Sequence, residues 1–350
     1  MIDNTLPLVS FCVKSFNQKK FLIEALKGAF AQTYRPLEIV ISDDGSTDGS
    51  WEYILSACED FRRNVSEGKV DAGVTVIVNR NERNLGNLGN WQKCGELAHG
   101  ELCIKADGDD VSLPNRTEST VRAWLVAGRN RVKSISCGGW KIDTNGEVIG
   151  RVERSTARNP IGAVMAWTRD CFYGFGPIVY PWAFDDIVFG RRSMLLGDDI
   201  SIDDPLVLYR VGSGVTSYQY DHRAAECRLS KSLFAAYEQI IAEIACSTHI
   251  KCMDRGSMTK MVYNDFSSVK VWHQLQGAKT MGERFMAYKK MGSHDTSLAT
   301  RFYLFVHVLP LPIGAVILLP YYFIKHWIGR LKFAMTKHPQ FIGAFALGCK

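Results

Sequence analysis

Short apolar runs alternate with longer amphipathic stretches through the first part of the chain, and this alternation most constrains the fold. It predicts strands at 8–13, 37–42, 74–78 and 101–106, and helices over 18–32, 50–61, 89–100 and from Pro114 to about 126. Strands that are apolar on both faces and alternate with helices predict a parallel sheet covered by helices on both faces. Such sheets bind ligands at the carboxyl ends of their strands.

The pattern changes after Gly138. The stretch GGWKIDTNGEVIG predicts a hairpin that turns at Asn145-Gly146, and a loop rich in glycine and aromatic residues follows over 172–184. From about residue 225 the sequence is typical of amphipathic helices. We therefore predict an α/β catalytic domain over 1–225 and a helical C-terminal region over 226–350.

The positive charge of the protein lies in its C-terminal region. The whole chain carries a net charge of +6, whereas residues 251–350 hold 14 Lys and Arg against 4 Asp and Glu, a surplus of 10. The remaining 250 residues therefore have a net charge of −4 (6 minus 10). A basic region on a nearly neutral body favours an anionic partner, and no nucleic-acid motif accompanies it, so we expect a membrane surface rather than nucleic acid.

Phe302–Ile324 is an uncharged segment within this basic region. Its 23 residues could span a bilayer, but Pro310, Pro312 and Pro320 would interrupt a straight helix. The segment favours a helical hairpin that lies on or re-enters a membrane, with a buried core segment or a true span as alternatives.

The cysteines indicate a reducing environment. The chain has 10 cysteines without a CxxC pair, and Cys12, Cys103 and Cys137 lie in apolar runs typical of buried residues. No N-terminal signal segment is recognisable. We expect a cytosolic location, at the inner face of a bacterial membrane if the C-terminal segment binds lipid.

Three acids, Asp107, Asp109 and Asp110, follow the fourth predicted strand in IKADGDDVSLPNR. Carboxylates this close repel one another unless a cation or water separates them. Asp107 and Asp109 can direct their oxygens to one point, and Gly108 lets the backbone approach it. Hard oxygen ligands of this kind favour Mg²⁺ or Mn²⁺ with substrate phosphates completing the coordination shell.

Three further stretches leave two interpretations open. In ISDDGSTDGS, Asp43 and Asp44 could accept hydrogen bonds from a nucleobase or ribose, or simply form turns. In FDDIVFGRR, the acid pair before a helix could supply a general base or cap that helix. In YRVGSGVTS, Arg210 could close over phosphates, or the stretch could be an ordinary loop.

Taken together and in order, the blocks VSFCVKSFNQKKFLIEALKGAFAQTYRPLEIVISDDGSTDGS, NLGNLGN, IKADGDDVSLPNR and FDDIVFGRR resemble the family 2 glycosyltransferases of GT-A fold. The resemblance covers roughly residues 7–217. It implies a Rossmann-like parallel or mixed sheet that binds a nucleotide-diphosphate sugar, with UDP-sugars favoured. It also implies inverting sugar transfer with a divalent cation on the diphosphate and a carboxylate as the base.

The resemblance assigns roles to individual residues. It implies nucleotide contacts by Lys14, Ser15, Asn17, Asp43, Asp44, Asn84 and Gly86, metal ligation by Asp107 and Asp109, and general-base catalysis by Asp186. Two positions depart from the family's pattern. Lys14 stands where proline or threonine is common, and Asp185 replaces the usual Glu of a Glu-Asp pair.

Other classes of protein fit less well. A nicotinamide dehydrogenase needs a glycine-rich turn after its first strand, and KSFNQKK has no glycine. A nucleotidyltransferase that acts on sugar phosphates, and a non-catalytic nucleotide-sugar-binding protein, stay as alternatives. The expected function is transfer to a lipid-linked glycan or other saccharide acceptor in bacterial surface polysaccharide synthesis (O-antigen, capsule or exopolysaccharide).

Overall fold

The computed structural model describes residues 6–69, 73–213, 222–246, 255–278 and 280–289. Its strands are β1 (Val9–Ser15), β2 (Leu37–Asp43), β3 (Val74–Arg80), β4 (Leu102–Asp107), β5 (Val111–Ser112), β6 (Val132–Ile142), β7 (Val148–Arg151), β8 (Met165–Thr168) and β9 (Asp198–Arg210). Its helices are α1 (Lys19–Phe30), α2 (Ser50–Ser66), α3 (Gly86–Leu97), α4 (Arg116–Ala127), α5 (Asp185–Leu196), α6 (His222–Cys246), α7 (Arg255–Gly277) and α8 (Met281–Lys289). Two 3₁₀ turns flank β8, at Gly162–Val164 and Arg169–Phe172.

All nine described strands form one mixed sheet in the order β3-β2-β1-β4-β8-β6-β9-β5, with β7 paired to β6. The four strands predicted from the first part of the sequence are parallel to one another, as expected. Strand β8 runs antiparallel to β4 and to β6, whereas β6 and β9 are parallel. The carboxyl ends of β1, β2 and β4 therefore meet at one edge of the sheet.

Helices cover both faces of this sheet. On one face, Phe11 and Val13 of β1 belong to a core cluster with Leu22 of α1 and Ile54 of α2. On the other face, Cys12 belongs to a cluster that includes Trp91 and residues of α5. Alternate residues of β1 thus face opposite layers, and β1, β2 and β4 are buried on both sides as predicted, whereas β3 at the edge of the sheet is only partly buried.

Element boundaries differ modestly from the sequence predictions. Helix α2 continues to Ser66, and α3 begins at Gly86 because its first backbone amides meet the carboxylate of Asp44. The predicted hairpin is β6–β7, with the turn between Asp143 and Glu147. As predicted, Cys12, Cys103 and Cys137 are buried free thiols.

Helices α6 and α7 share the core of the α/β part of the chain. Ile240 of α6 and Phe266 of α7 pack in the same cluster as Trp91 and Phe189. Arg192 of α5 donates from Nε and Nη2 to the carboxylate of Glu243 in α6, at 3.0 and 2.7 Å. The helical region described beyond residue 222 is therefore packed onto the α/β part of the chain.

No helix among the described residues combines the length and the apolar character needed to cross a bilayer. The uncharged segment 302–324, predicted to associate with a membrane, lies outside the described residues.

Candidate active site

A cavity of about 370 Å³ opens where β1, β2 and β4 end, a size typical of small-ligand sites. Eight of the predicted site residues line it, from six different parts of the chain: Lys14, Ser15, Asp44, Gly86, Asp107, Asp109, Asp186 and Arg210. The edge of the sheet thus brings together residues that are up to about 200 positions apart in sequence.

Three other predicted residues hold the loops that border this cavity. Asn17 adopts a left-handed φ of 51° and accepts a hydrogen bond from the Thr47 amide at 2.8 Å. Asp43 is fully buried and accepts from the Ser46 amide at 3.0 Å. Exposed Asn84 accepts from the Gly86 amide at 2.7 Å. Their predicted contacts with a nucleotide stay predictions.

Asp44 links the end of β2 to the start of α3. Its carboxylate accepts hydrogen bonds from the Leu85 amide at 2.8 Å, the Gly86 amide at 3.0 Å and the Asn81 side chain at 2.8 Å. A negative charge at a helix N-terminus satisfies amides that have no partner within the helix. Asp44 therefore shapes the cavity that it also lines.

Asp107 is neutralised from within the chain by two lysines. Strand register pairs Lys14 with Asp107 and Cys12 with Lys105, so both lysines lie on the same face of the sheet as Asp107. Lys14 Nζ lies 3.3 Å from Asp107 Oδ1, and Lys105 Nζ lies 2.9 Å from Oδ2. Burial alone would raise the pKa of Asp107, but Lys105 and Lys14 hold that pKa well below its usual range.

Asp109 and Asp110, the other two acids near the end of β4, have different partners. Asp109 lines the cavity, accepts a hydrogen bond from Ser213 Oγ at 2.9 Å, and has a pKa raised by burial and by Asp107. Asp110 accepts from the Arg210 amide at 2.7 Å, and burial and Asp109 raise its pKa well above the usual value. Asp110 therefore joins this loop to β9, while Asp109 faces the ligand space.

The loop fits a metal that substrate phosphates would help to hold. Within the described ranges, no group of three or more His, Cys, Asp or Glu side chains is arranged as a metal site. Mg²⁺ is usually bound by one or two carboxylates together with water and phosphate oxygens. Asp109, with Asp107 beside it, matches that smaller ligand set.

The two acids at the start of α5 have different surroundings: Asp185 is buried against Lys14, and Asp186 faces the cavity. Asp185 is 2% exposed, and its Oδ2 lies 2.6 Å from Lys14 Nζ. Asp186 lines the cavity, and its Oδ2 accepts a hydrogen bond from the Gly162 amide at 3.1 Å. Burial and the neighbouring Asp185 raise the pKa of Asp186 to about 6. A carboxyl in this range can take up a proton near neutral pH.

Arg210 lines the cavity, and its guanidinium already donates hydrogen bonds to three acceptors within the protein. The side chain is 1% exposed, and it donates to the Asp109 carbonyl at 3.0 Å, the Asp143 carbonyl at 3.0 Å and Glu24 Oε2 at 2.6 Å. These bonds hold the loop after β4, the hairpin turn and α1 together. The predicted phosphate contact of Arg210 stays a prediction.

Sequence reasoning missed three residues of the site. Lys105 is a charged residue inside an otherwise apolar strand, a signal that a buried partner exists. Asn87 lies in NLGNLGN and donates to Asp185 Oδ1 at 3.0 Å. Gly162 lies so close to Lys105 that an added Cβ would stand 2.4 Å from Nζ, and no sequence motif marks it.

The known proteins that this chain resembles are glycosyltransferases. Residues 10–160 match the model of the family described as "Glycosyl transferase family 2". A 106-residue stretch is 36% identical to the abequosyltransferase RfbV of Salmonella typhimurium, covering 30% of this chain and 28% of that protein. A 114-residue stretch is 39% identical to the UDP-Glc:alpha-D-GlcNAc-diphosphoundecaprenol beta-1,3-glucosyltransferase WfaP of Escherichia coli, covering 33% of this chain and 40% of that protein.

The matched stretches thus span well under half the length of these curated relatives. One solved structure extends the likeness of fold over most of the chain. The mannosyltransferase PcManGT from Pyrobaculum calidifontis, in complex with GDP-Man and Mn²⁺, aligns with a TM-score of 0.54 and 16% identity, covering 94% of this chain and 88% of that one. The two chains share a mixed α/β fold.

Proposed function

We propose that this protein is an inverting glycosyltransferase, because residues 10–160 match the family 2 glycosyltransferase model and the fold resembles that of the mannosyltransferase PcManGT. It moves a sugar from a nucleotide-diphosphate sugar to a hydroxyl of a saccharide or lipid-linked glycan. A UDP-sugar is the favoured donor, since WfaP is named for UDP-Glc. The relatives RfbV and WfaP support a place in bacterial surface polysaccharide synthesis.

One observation carries this proposal. Asp186, with a pKa of about 6, lines the same cavity as the acids at the end of β4 and in the loop that follows it. In an inverting transfer, a carboxylate takes the proton of the acceptor hydroxyl as its oxygen attacks the anomeric carbon. Attack from the face opposite the leaving diphosphate inverts that carbon, so no enzyme nucleophile is required.

The donor occupies the edge formed by β1, β2 and β4. Asp44 and Ser15 border the nucleotide end of the cavity, and Asp109 with Asp107 would hold Mg²⁺ or Mn²⁺ against the diphosphate. When bound, the metal supplies positive charge where charge develops on the leaving group. PcManGT was solved with Mn²⁺ and a nucleotide-diphosphate sugar, which supports this arrangement.

The acceptor reaches the enzyme at a membrane surface. WfaP is named for an acceptor carried on a diphosphoundecaprenol lipid, which supports a lipid-linked acceptor for this chain. The 14 basic residues of 251–350, together with the uncharged segment 302–324, would place the enzyme on an anionic membrane. The proposed location is the cytoplasmic face of the bacterial inner membrane.

A donor screen with the full chain tests the proposal. Nucleotide-diphosphate sugars are incubated with Mg²⁺ or Mn²⁺ and a lipid-linked saccharide, and both nucleotide release and sugar transfer are measured. Replacing Asp186 with Asn should lower kcat by about 10²–10⁴-fold while donor binding stays within a few-fold, because a general base acts in the transition state. Release of pyrophosphate without sugar transfer would instead identify a nucleotidyltransferase.

A further inference from the structure

Lys14 and Lys105 each bridge the same two carboxylates at the cavity. Lys14 Nζ lies 3.3 Å from Asp107 Oδ1 and 2.6 Å from Asp185 Oδ2. Lys105 Nζ lies 2.9 Å from Asp107 Oδ2 and 3.4 Å from Asp185 Oδ2. The four side chains form a closed ring of alternating charge, which we call the charge ring.

The charge ring is buried and joins three elements. The exposed fractions of its side chains are 9% for Lys14, 3% for Lys105, 2% for Asp185 and 21% for Asp107. Removing one partner of a buried ion pair leaves an uncompensated charge, which is far more costly than the same change at the surface. Strands β1 and β4 are therefore tied to the start of α5 by contacts that act together.

Lys14 has a protein acceptor for each of its three N–H groups. Its ammonium contacts Asn87 Oδ1, Asp185 Oδ2 and Asp107 Oδ1. A lysine ammonium has three donors and no acceptor. In this arrangement the Lys14 ammonium holds together the part of the cavity wall formed by Asp107, Asn87 and Asp185, and its predicted nucleotide contact stays a prediction.

Asp185 transmits this restraint to the proposed base. Its Oδ1 accepts hydrogen bonds from Asn87 Nδ2 at 3.0 Å and from the Asp186 amide at 2.8 Å. Asp186 is the next residue of α5, so the direction of its carboxylate depends on how the first turn of that helix is held. A displacement of about 1 Å at a reacting group can cost on the order of 10²-fold in rate.

We propose that Lys14 and Asp185 are a coupled positioning pair for Asp186, an inference that rests on the proposed transferase function. They are also the two positions at which the chain departs from the pattern of the family it resembles, and here the two departures are in direct contact. A glutamate at 185 would extend the carboxylate by about 1.5 Å, into the space that the lysine ammonium takes. A threonine at 14 would vacate that space.

A double-mutant cycle on the full chain tests the pair, with Lys14→Thr, Asp185→Glu and both together. Each single change should lower kcat by about 10–100-fold with donor KM within about threefold, because the base is displaced while the nucleotide site persists. The double variant still has one ammonium for two carboxylates, so it should not regain the wild-type rate, but its loss of kcat should be at least about tenfold smaller than the product of the two single losses. Losses that simply multiply in the double variant would overturn the proposal.

A more exposed ion pair, formed by residues that do not line the cavity, provides a control for the loss of an ion pair as such. Lys133 Nζ lies 2.7 Å from Asp170 Oδ2, away from the cavity. Lys133→Met, Asp170→Asn and their combination should leave kcat unchanged.

Measuring unfolding by denaturant for every variant separates this inference from the proposed function. If the wild type transfers no sugar, the proposed function fails, and non-additivity of at least tenfold in the unfolding constants of the Lys14 and Asp185 variants would still support the coupling. If the single variants unfold more easily but retain wild-type kcat, Lys14 and Asp185 serve folding alone and the positioning role is wrong.

Discussion

Asp186 combines the two properties that a general base needs at neutral pH, access to the ligand cavity and a raised pKa. Burial is the largest cause of that raised pKa and Asp185 the next, while Lys105 acts in the opposite direction. The position of the pKa near 6 is thus a balance between desolvation, which favours the neutral acid, and a nearby ammonium, which favours the carboxylate.

The balance predicts the pH dependence of turnover. Asp186 must be ionised to accept a proton, so kcat should fall as pH drops through about 6 and be level above it. At one pH unit below that midpoint, the rate should be roughly a tenth of the plateau. The pH profile of kcat with saturating donor and acceptor checks this. A rate that stays level down to pH 4.5 would show that Asp186 is not the base.

The same carboxyl should reduce stability at neutral pH. Because the folded-state pKa of Asp186 is raised to about 6, above its unfolded value of about 3.9, ionisation opposes folding and the penalty grows as pH rises from about 4 to about 6. Asp186→Asn carries no such penalty. We expect it to increase the free energy of unfolding by roughly 1–3 kcal/mol at pH 7.5 and by much less at pH 4. Denaturant unfolding at the two pH values measures the difference.

Replacing Asp109 should weaken metal binding more than replacing Asp107 or Asp110 does. Its carboxylate faces the cavity, whereas the oxygens of Asp107 are paired with lysines and Asp110 accepts from the Arg210 amide. Asp109→Ala should abolish turnover, and excess chelator should do the same to the wild type until Mg²⁺ or Mn²⁺ is restored. Calorimetric titration of Mn²⁺ in the presence of nucleoside diphosphate follows binding directly. Full activity in chelator would contradict the metal assignment.

At the level of elements, the sequence predicted the strands and helices that obey a simple period. Strands β1 to β4 and helices α1 to α4 follow from apolar runs and amphipathic spacing. The pairing of β6 with both β8 and β9 could not be predicted from such spacing, because it depends on the tertiary path of the chain. In the same way, Asp107 and Asp186 could be singled out as acids, whereas the contact of Asp186 with the Gly162 amide joins two segments and has no sequence motif.

The 3₁₀ turn that begins at Gly162 has little room to change. A Cβ at this position would stand 2.4 Å from Lys105 Nζ and 3.3 Å from Asp186 Cβ. Gly162→Ala should therefore displace one of these side chains and lower kcat by at least tenfold, with a smaller effect on donor binding. Steady-state kinetics measures the change. Gly277→Ala is a control on folding and expression, since nothing lies within 4 Å of its added Cβ and its φ is not in the left-handed region.

At the scale of the whole molecule, the surplus of positive charge and the uncharged segment 302–324 lie toward the C-terminus, and the proposed catalytic acids lie in the remaining part. Cationic attraction and apolar burial together give a stable two-part membrane anchor. The full chain should therefore float with vesicles that contain anionic lipid, and less so at high salt or with neutral lipid. A chain that ends after Lys289 should stay in the dense fractions. If both chains behave alike, the C-terminal region does not bind the membrane.

Helices α6 and α7 are built into the same core as α5, and this limits how such enzymes can be recombined. Glu243 receives the Arg192 guanidinium, and Ile240 and Phe266 fill space beside Phe189. A chimera joined near residue 220 would set foreign helices against an unchanged α5, with a buried charge left unmatched. Grafts intended to alter acceptor choice should exchange α5, α6 and α7 as one unit, with the junction placed before Asp185.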